Sequence, residues 1–163
     1  MLRMKPRIYI ETSVVSYLAA RPSLDAVNAA RQYESLRLWS ARDRFELVIS
    51  SLVRDEASDG DASAAAQRLR LLDGLARMPL SAEAVATAKV LIANQVFPPK
   101  AYADALHVAI AAHSGCDGIT SWNYRHIASA WARQRVEANL RQLGVSVPVI
   151  ATPDAFLETQ DDD

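Results

Sequence analysis

Glu11, Glu56, Asp104 and Asn123 occupy comparable places in this chain: each lies just beyond a short apolar run or near the start of a helical stretch. Three separated carboxylates converging on one crevice repel one another unless a divalent cation sits among them. Oxygen ligands, with no paired Cys or His, favour Mg2+ or Mn2+ and argue against zinc. An ion held this way polarises a phosphodiester, lowers the pKa of a bound water and stabilises the leaving oxygen, which is the chemistry of metal-dependent phosphodiester hydrolysis. Magnesium keeps several of its waters, so attack on phosphorus needs no dedicated side-chain base.

Positioning these groups requires strands that alternate with helices. Arg7 to Ile10 and Glu46 to Ser50 have the length and the β-branched and aromatic content of buried strands. Gly118 to Trp122 and Val147 to Ala151 are two more candidates, each preceded by a Gly suited to ending a helix. Between them the spacing is helical: Ala65, Leu69, Leu72 and Ala76 form one such series, and Val136, Leu140 and Leu143 another. Ser81 is a candidate N-cap for a helix to about Val96, and Pro98-Pro99 forces a break before the next helix near Ala101. The fold expected is α/β, a three-layer sandwich with helices covering a central parallel sheet. In such sheets the functional crevice lies beyond the carboxyl ends of the strands. Glu11 ends the first strand, Glu56 lies about one and a half turns into the helix after the second, and Asn123 follows the strand that ends near Trp122. Asp104 opens a helix that continues Ala-Leu-His-Val-Ala-Ile-Ala-Ala, a sequence apolar enough to be buried on most sides. A carboxylate there is a metal ligand, or else a capping group or the partner of an Arg.

The chain has 163 residues, half of them hydrophobic, which suits one domain over 1–158 followed by an acidic, solvated tail at 159–163. No apolar run reaches the roughly 18 to 20 residues needed to cross a bilayer, and the N-terminus lacks the pattern of a secretory signal. A single cysteine, Cys116, excludes an internal disulfide framework and suits a reducing cytoplasmic setting. The net charge of −1 argues against coating of nucleic acid by bulk positive charge, so any RNA contact must be local.

Taken in order, the motifs resemble the PIN-domain family, and in particular the VapC-like toxin ribonucleases of type II toxin–antitoxin systems. Ile8-Tyr9-Ile10-Glu11-Thr12-Ser13-Val14 resembles the opening strand, usually written Asp-Thr-Ser, with Glu in place of Asp. Ser50-Ser51-Leu52-Val53 leading to Glu56 resembles the second acidic motif, Asp104-Ala105-Leu106-His107-Val108-Ala109 the third, and Ile119-Thr120-Ser121-Trp122-Asn123 the segment that usually carries Ser or Thr and then Asp. Val149 to Leu157 is similar to the closing strand and Thr-Pro turn. The resemblance implies a Mg2+- or Mn2+-dependent endoribonuclease with Glu11, Glu56 and Asp104 as metal ligands and Asn123 in the catalytic set. It also implies an RNA substrate, a homodimer and a cognate antitoxin protein. Asn123 takes the place of the usual fourth acid, so the site loses one negative charge while keeping a carbonyl oxygen that could orient a water or a metal.

The remaining candidates have plainer readings. Thr12, Ser13 and Ser121 are expected to support the carboxylates or the loop rather than act as nucleophiles. His107, three residues after Asp104, could join the site, but a satisfied packing histidine is the preferred reading. His113 and His126 have no ligand spacing. Asp55 competes with Glu56, and the family pattern selects Glu56. Cys116 reads as structural, and Trp39, Trp122 and Trp131 as core or dimer contacts ahead of base-stacking platforms. Three other functions compete: a PIN nuclease of routine RNA processing without an antitoxin, a catalytically weakened PIN scaffold that binds RNA or a partner protein, and a phosphatase of another α/β fold. The last lacks an Asp-x-Asp motif after the first strand and a Gly-rich phosphate loop.

Overall fold

Ile8, Tyr9 and Ile10 are each at most 2 % exposed. Three successive apolar or aromatic side chains without polar alternation are what a strand covered on both faces requires. They belong to β1 (Arg7–Ile10), the central strand in a computed structural model that describes residues 5–158; the expected acidic tail at 159–163 lies outside the described residues. Four further strands, β2 (Glu46–Ser50), β3 (Ala76–Met78), β4 (Gly118–Thr120) and β5 (Val149–Ala151), complete a sheet of order β3-β2-β1-β4-β5. Every pairing is parallel.

Helices α1 (Thr12–Ala19) and α2 (Ala26–Ser40) connect β1 to β2, and α3 (Ser51–Ala57) and α4 (Ala62–Leu72) connect β2 to β3. The return to the other side of β1 uses α5 (Ala82–Ala93) and α6 (Tyr102–His113), and α7 (Ala130–Gln142) joins β4 to β5. Right-handed crossovers place the first four helices on one face and the last three on the other; correspondingly α1 packs on α2, α3 and α4, while α5 packs on α6. This is the expected three-layer α/β architecture. The core runs through both layers, from Leu38 and Val53 beneath one set of helices to Ala88, Val108 and Val136 beneath the other.

Two residues end a strand and cap the next helix at once. Glu11 follows β1 directly and accepts from the Ser13 amide; Ser50, the last residue of β2, accepts from the Val53 amide. The chain thus turns from strand to helix with almost no loop, and polar side chains are held at the sheet's carboxyl edge. Ser81 caps α5 in the expected way, and that helix closes at Ala93 rather than near Val96, with Gln95 at a positive φ of 59°.

The sequence pattern departs from the structure chiefly at β3. Ala76 is not a fourth turn of the helix that holds Ala65, Leu69 and Leu72: α4 stops at Leu72, Gly74 turns the chain at φ 86°, and Ala76–Met78 pairs with β2. Ala-Arg-Met has no β-branched residue, and as a short edge strand it has no need of a continuous apolar run. β4 also ends at Thr120, before Trp122, and β5 begins after Pro148, which has no N–H for a ladder. Gly118 is required by close packing, since a Cβ there would lie 2.6 Å from the ring of Phe156.

Candidate metal centre

The strand order reverses between β1 and β4, and a crevice opens beyond the carboxyl ends of strands at such a switch point. Glu11 leaves β1 on one side of it, with its amide donating to Thr120 O at 3.1 Å, and Ser121 leaves β4 on the other. The Glu11 side chain is 6 % exposed, so its polar atoms need partners. Ser13 N (3.1 Å), Ser13 Oγ and Ser121 Oγ (2.8 Å) all donate to the same atom, Oε2.

The direction of these hydroxyl bonds is fixed from behind. Ser13 Oγ accepts from the Trp122 amide at 2.9 Å, and Ser121 Oγ accepts from the Asn123 amide at 2.9 Å. Each hydroxyl has one proton, which is therefore directed at Glu11. The hydroxyls of Ser13 and Ser121 hold a carboxylate and are not poised as nucleophiles.

Glu56 approaches from α3 and is pinned in the same manner. Thr12 Oγ1 lies 2.6 Å and His107 Nε2 2.5 Å from its Oε1. Among the described residues, no hydrogen bond reaches Glu56 Oε2 or Glu11 Oε1. Burial by itself pushes the Glu56 carboxyl up, but the hydrogen bonds from His107 and from the Thr12 hydroxyl outweigh it, and its pKa is lowered overall. Asp55, the alternative acid, is exposed on another side of α3.

Asp104 lies in the first turn of α6, half-buried, with its carboxyl pKa raised: burial is the main cause, Glu56 adds to it, and Asn123, His126 and His107 oppose it. Among the described residues no Arg pairs with it. The Asn123 side chain is its hydrogen-bond partner. The Asn123 carbonyl oxygen, expected to be available for a water or metal, instead accepts from His126 N at 3.1 Å and caps the π-helical turn Tyr124–Ala128. The amide nitrogen is the part of Asn123 that serves the crevice.

His107 is completely buried, with Nδ1 2.7 Å from Tyr9 Oη and Nε2 on Glu56. Glu11, Glu56 and His107 each bring a ligand-type atom within 4.8 Å of the others; Asp104 does not belong to this tightest group. Since both nitrogens of His107 are engaged, the oxygens left open to a cation are those of Glu11 and Glu56, with Asp104 one turn along α6. Such a hard, oxygen-only donor set fits a divalent ion of the magnesium or manganese type.

Tyr9, Ser50 and His126 had no site signal in the sequence. A hydroxyl in a strand buried on both sides, opposite a histidine in a buried helix, was the only hint for Tyr9; His126 reaches Asp104 only through the π turn. Trp122 packs inside, 8 % exposed, with Nε1 donating to Ser35 Oγ at 2.8 Å, whereas Trp131 is 72 % exposed. Cys116 is buried.

The PIN domain family model matches residues 8–130, well over half of the sequence. The chain belongs to the PIN domain family, whose members are generally metal-dependent nucleases. No curated protein matches it. Among the described residues, no helix is long and apolar enough to cross a membrane.

Proposed function

We propose that this protein is a metal-dependent endoribonuclease and the toxin component of a VapBC-type toxin–antitoxin pair, acting on RNA in the cytoplasm as a homodimer. The observation that carries the nuclease reading is the pairing of Glu11 and Glu56. Each is fixed through one oxygen and open at the other, at the carboxyl edge of the sheet and with ligand-type atoms within 4.8 Å of one another. Mg2+ or Mn2+ bound by Glu11, Glu56 and Asp104 would supply Lewis-acid polarisation of a phosphodiester and activation of water. The chain's own groups do the positioning. Ser13 and Ser121 hold Glu11, Thr12 and His107 hold Glu56, and Asn123 holds Asp104, so little reorganisation is left to the moment of reaction.

Titration of purified protein with Mn2+, followed by incubation with total RNA, tests this reading. Cleavage that requires the ion and is lost in Asp104→Asn supports it; failure to bind Mn2+ removes it. The weakened-scaffold reading draws on one observation, the commitment of the Asn123 oxygen to a helical cap, which leaves three carboxylates in the crevice. The toxin assignment rests on the resemblance of the motifs to VapC-like proteins. A neighbouring gene for a short DNA-binding protein separates it from an RNA-processing nuclease.

A further inference from the structure

Four residues from four elements form a chain of hydrogen bonds that ends on Glu56. Ser50 Oγ lies 2.7 Å from Tyr9 Oη, Tyr9 Oη 2.7 Å from His107 Nδ1, and His107 Nε2 2.5 Å from Glu56 Oε1. Ser50, Tyr9 and His107 are each 0 % exposed, so water does not complete their bonding. Ser50 Oγ also accepts from the Val53 amide.

Counting protons settles the direction of the chain. With a proton on His107 Nε2 alone, Ser50 donates to Tyr9, Tyr9 donates to Nδ1, and Nε2–H donates to Glu56; every buried proton has an acceptor. With a proton on Nδ1, Tyr9 must accept from His107 and turn its own proton to Ser50, and the Ser50 proton is then left without an acceptor. A buried donor without an acceptor disfavours that arrangement. If Nδ1 alone is protonated, the Nε2 lone pair also faces a carboxylate oxygen at 2.5 Å.

We infer that His107 is a positioning residue: Ser50 and Tyr9 lock it as the Nε2–H tautomer, and it holds Glu56 through Oε1 so that Oε2 faces the crevice as the ligand oxygen. The inference rests on the metal-nuclease reading and adds to it that a hydroxyl in the central strand controls the ion site without touching it. His107 is thereby distinguished from a metal ligand, which would have to give up both the Nε2 proton and the bond to Glu56. A partner that orients a ligand in this way usually changes metal affinity 10- to 100-fold when it is removed.

Tyr9→Phe keeps the ring that fills the core and removes the hydroxyl, and with it both the proton given to Nδ1 and the acceptor of the Ser50 proton. Nitrogen NMR of the wild type at neutral pH, without metal, should find the His107 proton on Nε2. A proton on Nδ1 overturns the inference. Calorimetric titration with Mn2+ should show binding weakened about tenfold in Tyr9→Phe. In a His107→Gln background, where the side-chain amide can donate to Glu56 without help from Tyr9, the same Tyr9 change should have no further effect; a full additional loss would mean general damage and overturn the relay. Equal Mn2+ affinity in wild type and Tyr9→Phe would overturn the relay and leave the nuclease reading standing. A wild type that binds no Mn2+ would sink that reading, and the role of His107 at a metal with it.

Discussion

Ser121 Oγ donates to Glu11 Oε2 at 2.8 Å and so ties the end of β4 to the end of β1 across the reversal in strand order. The bond connects residues 110 positions apart in sequence, and the same hydroxyl accepts the Asn123 amide. One small side chain therefore sets both the carboxylate and the entry to the turn that carries Asn123.

Ser121→Ala should destabilise the protein by about 1–3 kcal/mol, since it removes a donor to a buried carboxylate and strips the Asn123 amide of its acceptor. Denaturant unfolding measures the loss, and Mn2+ titration of the folded variant should show weaker binding. Unchanged stability would mean that water replaces both bonds.

Asp104→Asn should abolish cleavage and raise stability at neutral pH. The folded protein holds the Asp104 carboxyl above its ordinary value of 3.8, chiefly through burial. A raised carboxyl favours the folded state below 3.8, and that contribution is lost as pH rises through the folded value. At neutral pH the ionised group is therefore a penalty, and the amide removes it. Unfolding midpoints of metal-free wild type and variant should coincide below about pH 3.8 and separate above it, with the variant more stable. A variant less stable at pH 7 would contradict this account.

Glu56 should show the opposite sign. Its carboxyl is lowered from 4.5 despite burial, because His107 and Thr12 favour the charged form. The stabilisation is present above 4.5 and is lost as pH falls through the lowered folded value. Metal-free Glu56→Gln should accordingly be less stable than wild type at neutral pH, and the difference should shrink on acidification. A constant difference across that range would place the effect in packing instead of charge.

Much of this arrangement is legible in the sequence because strand-end residues in a parallel sheet are marked by what precedes them. The run before Glu11 has to be apolar to be buried on both faces, and the polar residue that follows stands out; Glu56 lies inside α3 beside Asp55, and the family pattern is what tells the two apart. β3 has no such mark, since an exposed edge strand of Ala-Arg-Met needs no apolar pattern. Hydrogen-bond partners were hidden for a different reason: Tyr9, Ser50 and His107 come from separate elements, and only the register of β1 with β2 and the docking of α6 bring them together. Likewise the Asn123 oxygen is claimed by His126 N through a local π turn that residue types alone do not encode.

A cognate antitoxin segment bearing Arg should compete with Mn2+, because an arginine fork can pair with the open oxygens of Glu11 and Glu56 where the ion would otherwise bind. The complex should show reduced Mn2+ affinity by calorimetry, and excess ion should weaken the complex to the same degree. If bound antitoxin leaves the affinity for Mn2+ unchanged, this competition is wrong and inhibition would have to act by covering the crevice.

Glu11 stands where the family usually has Asp. Its extra methylene carries the carboxylate on the order of 1 Å further from the strand, whereas ligand groups commonly need placement within about 0.5 Å. Here the supporting groups match the longer side chain: Ser13 N, Ser13 Oγ and Ser121 Oγ converge on Oε2, and the Trp122 and Asn123 amides hold those hydroxyls in place. Glu11→Gln should abolish cleavage, since it removes a ligand charge and substitutes an amide among donors that already point inward. Glu11→Asp should retain partial activity, because the shorter side chain can keep its bonds to Ser13 and Ser121 or reach the ion, but not both at full geometry. Mn2+ should support that variant better than Mg2+, which demands stricter octahedral coordination. Cleavage rates for the three proteins with each ion decide the matter. Wild-type rates in Glu11→Gln would remove Glu11 from the metal site, and a large gain in Glu11→Asp would mean that the natural Glu is a step toward lost catalysis, which favours the binding-scaffold reading.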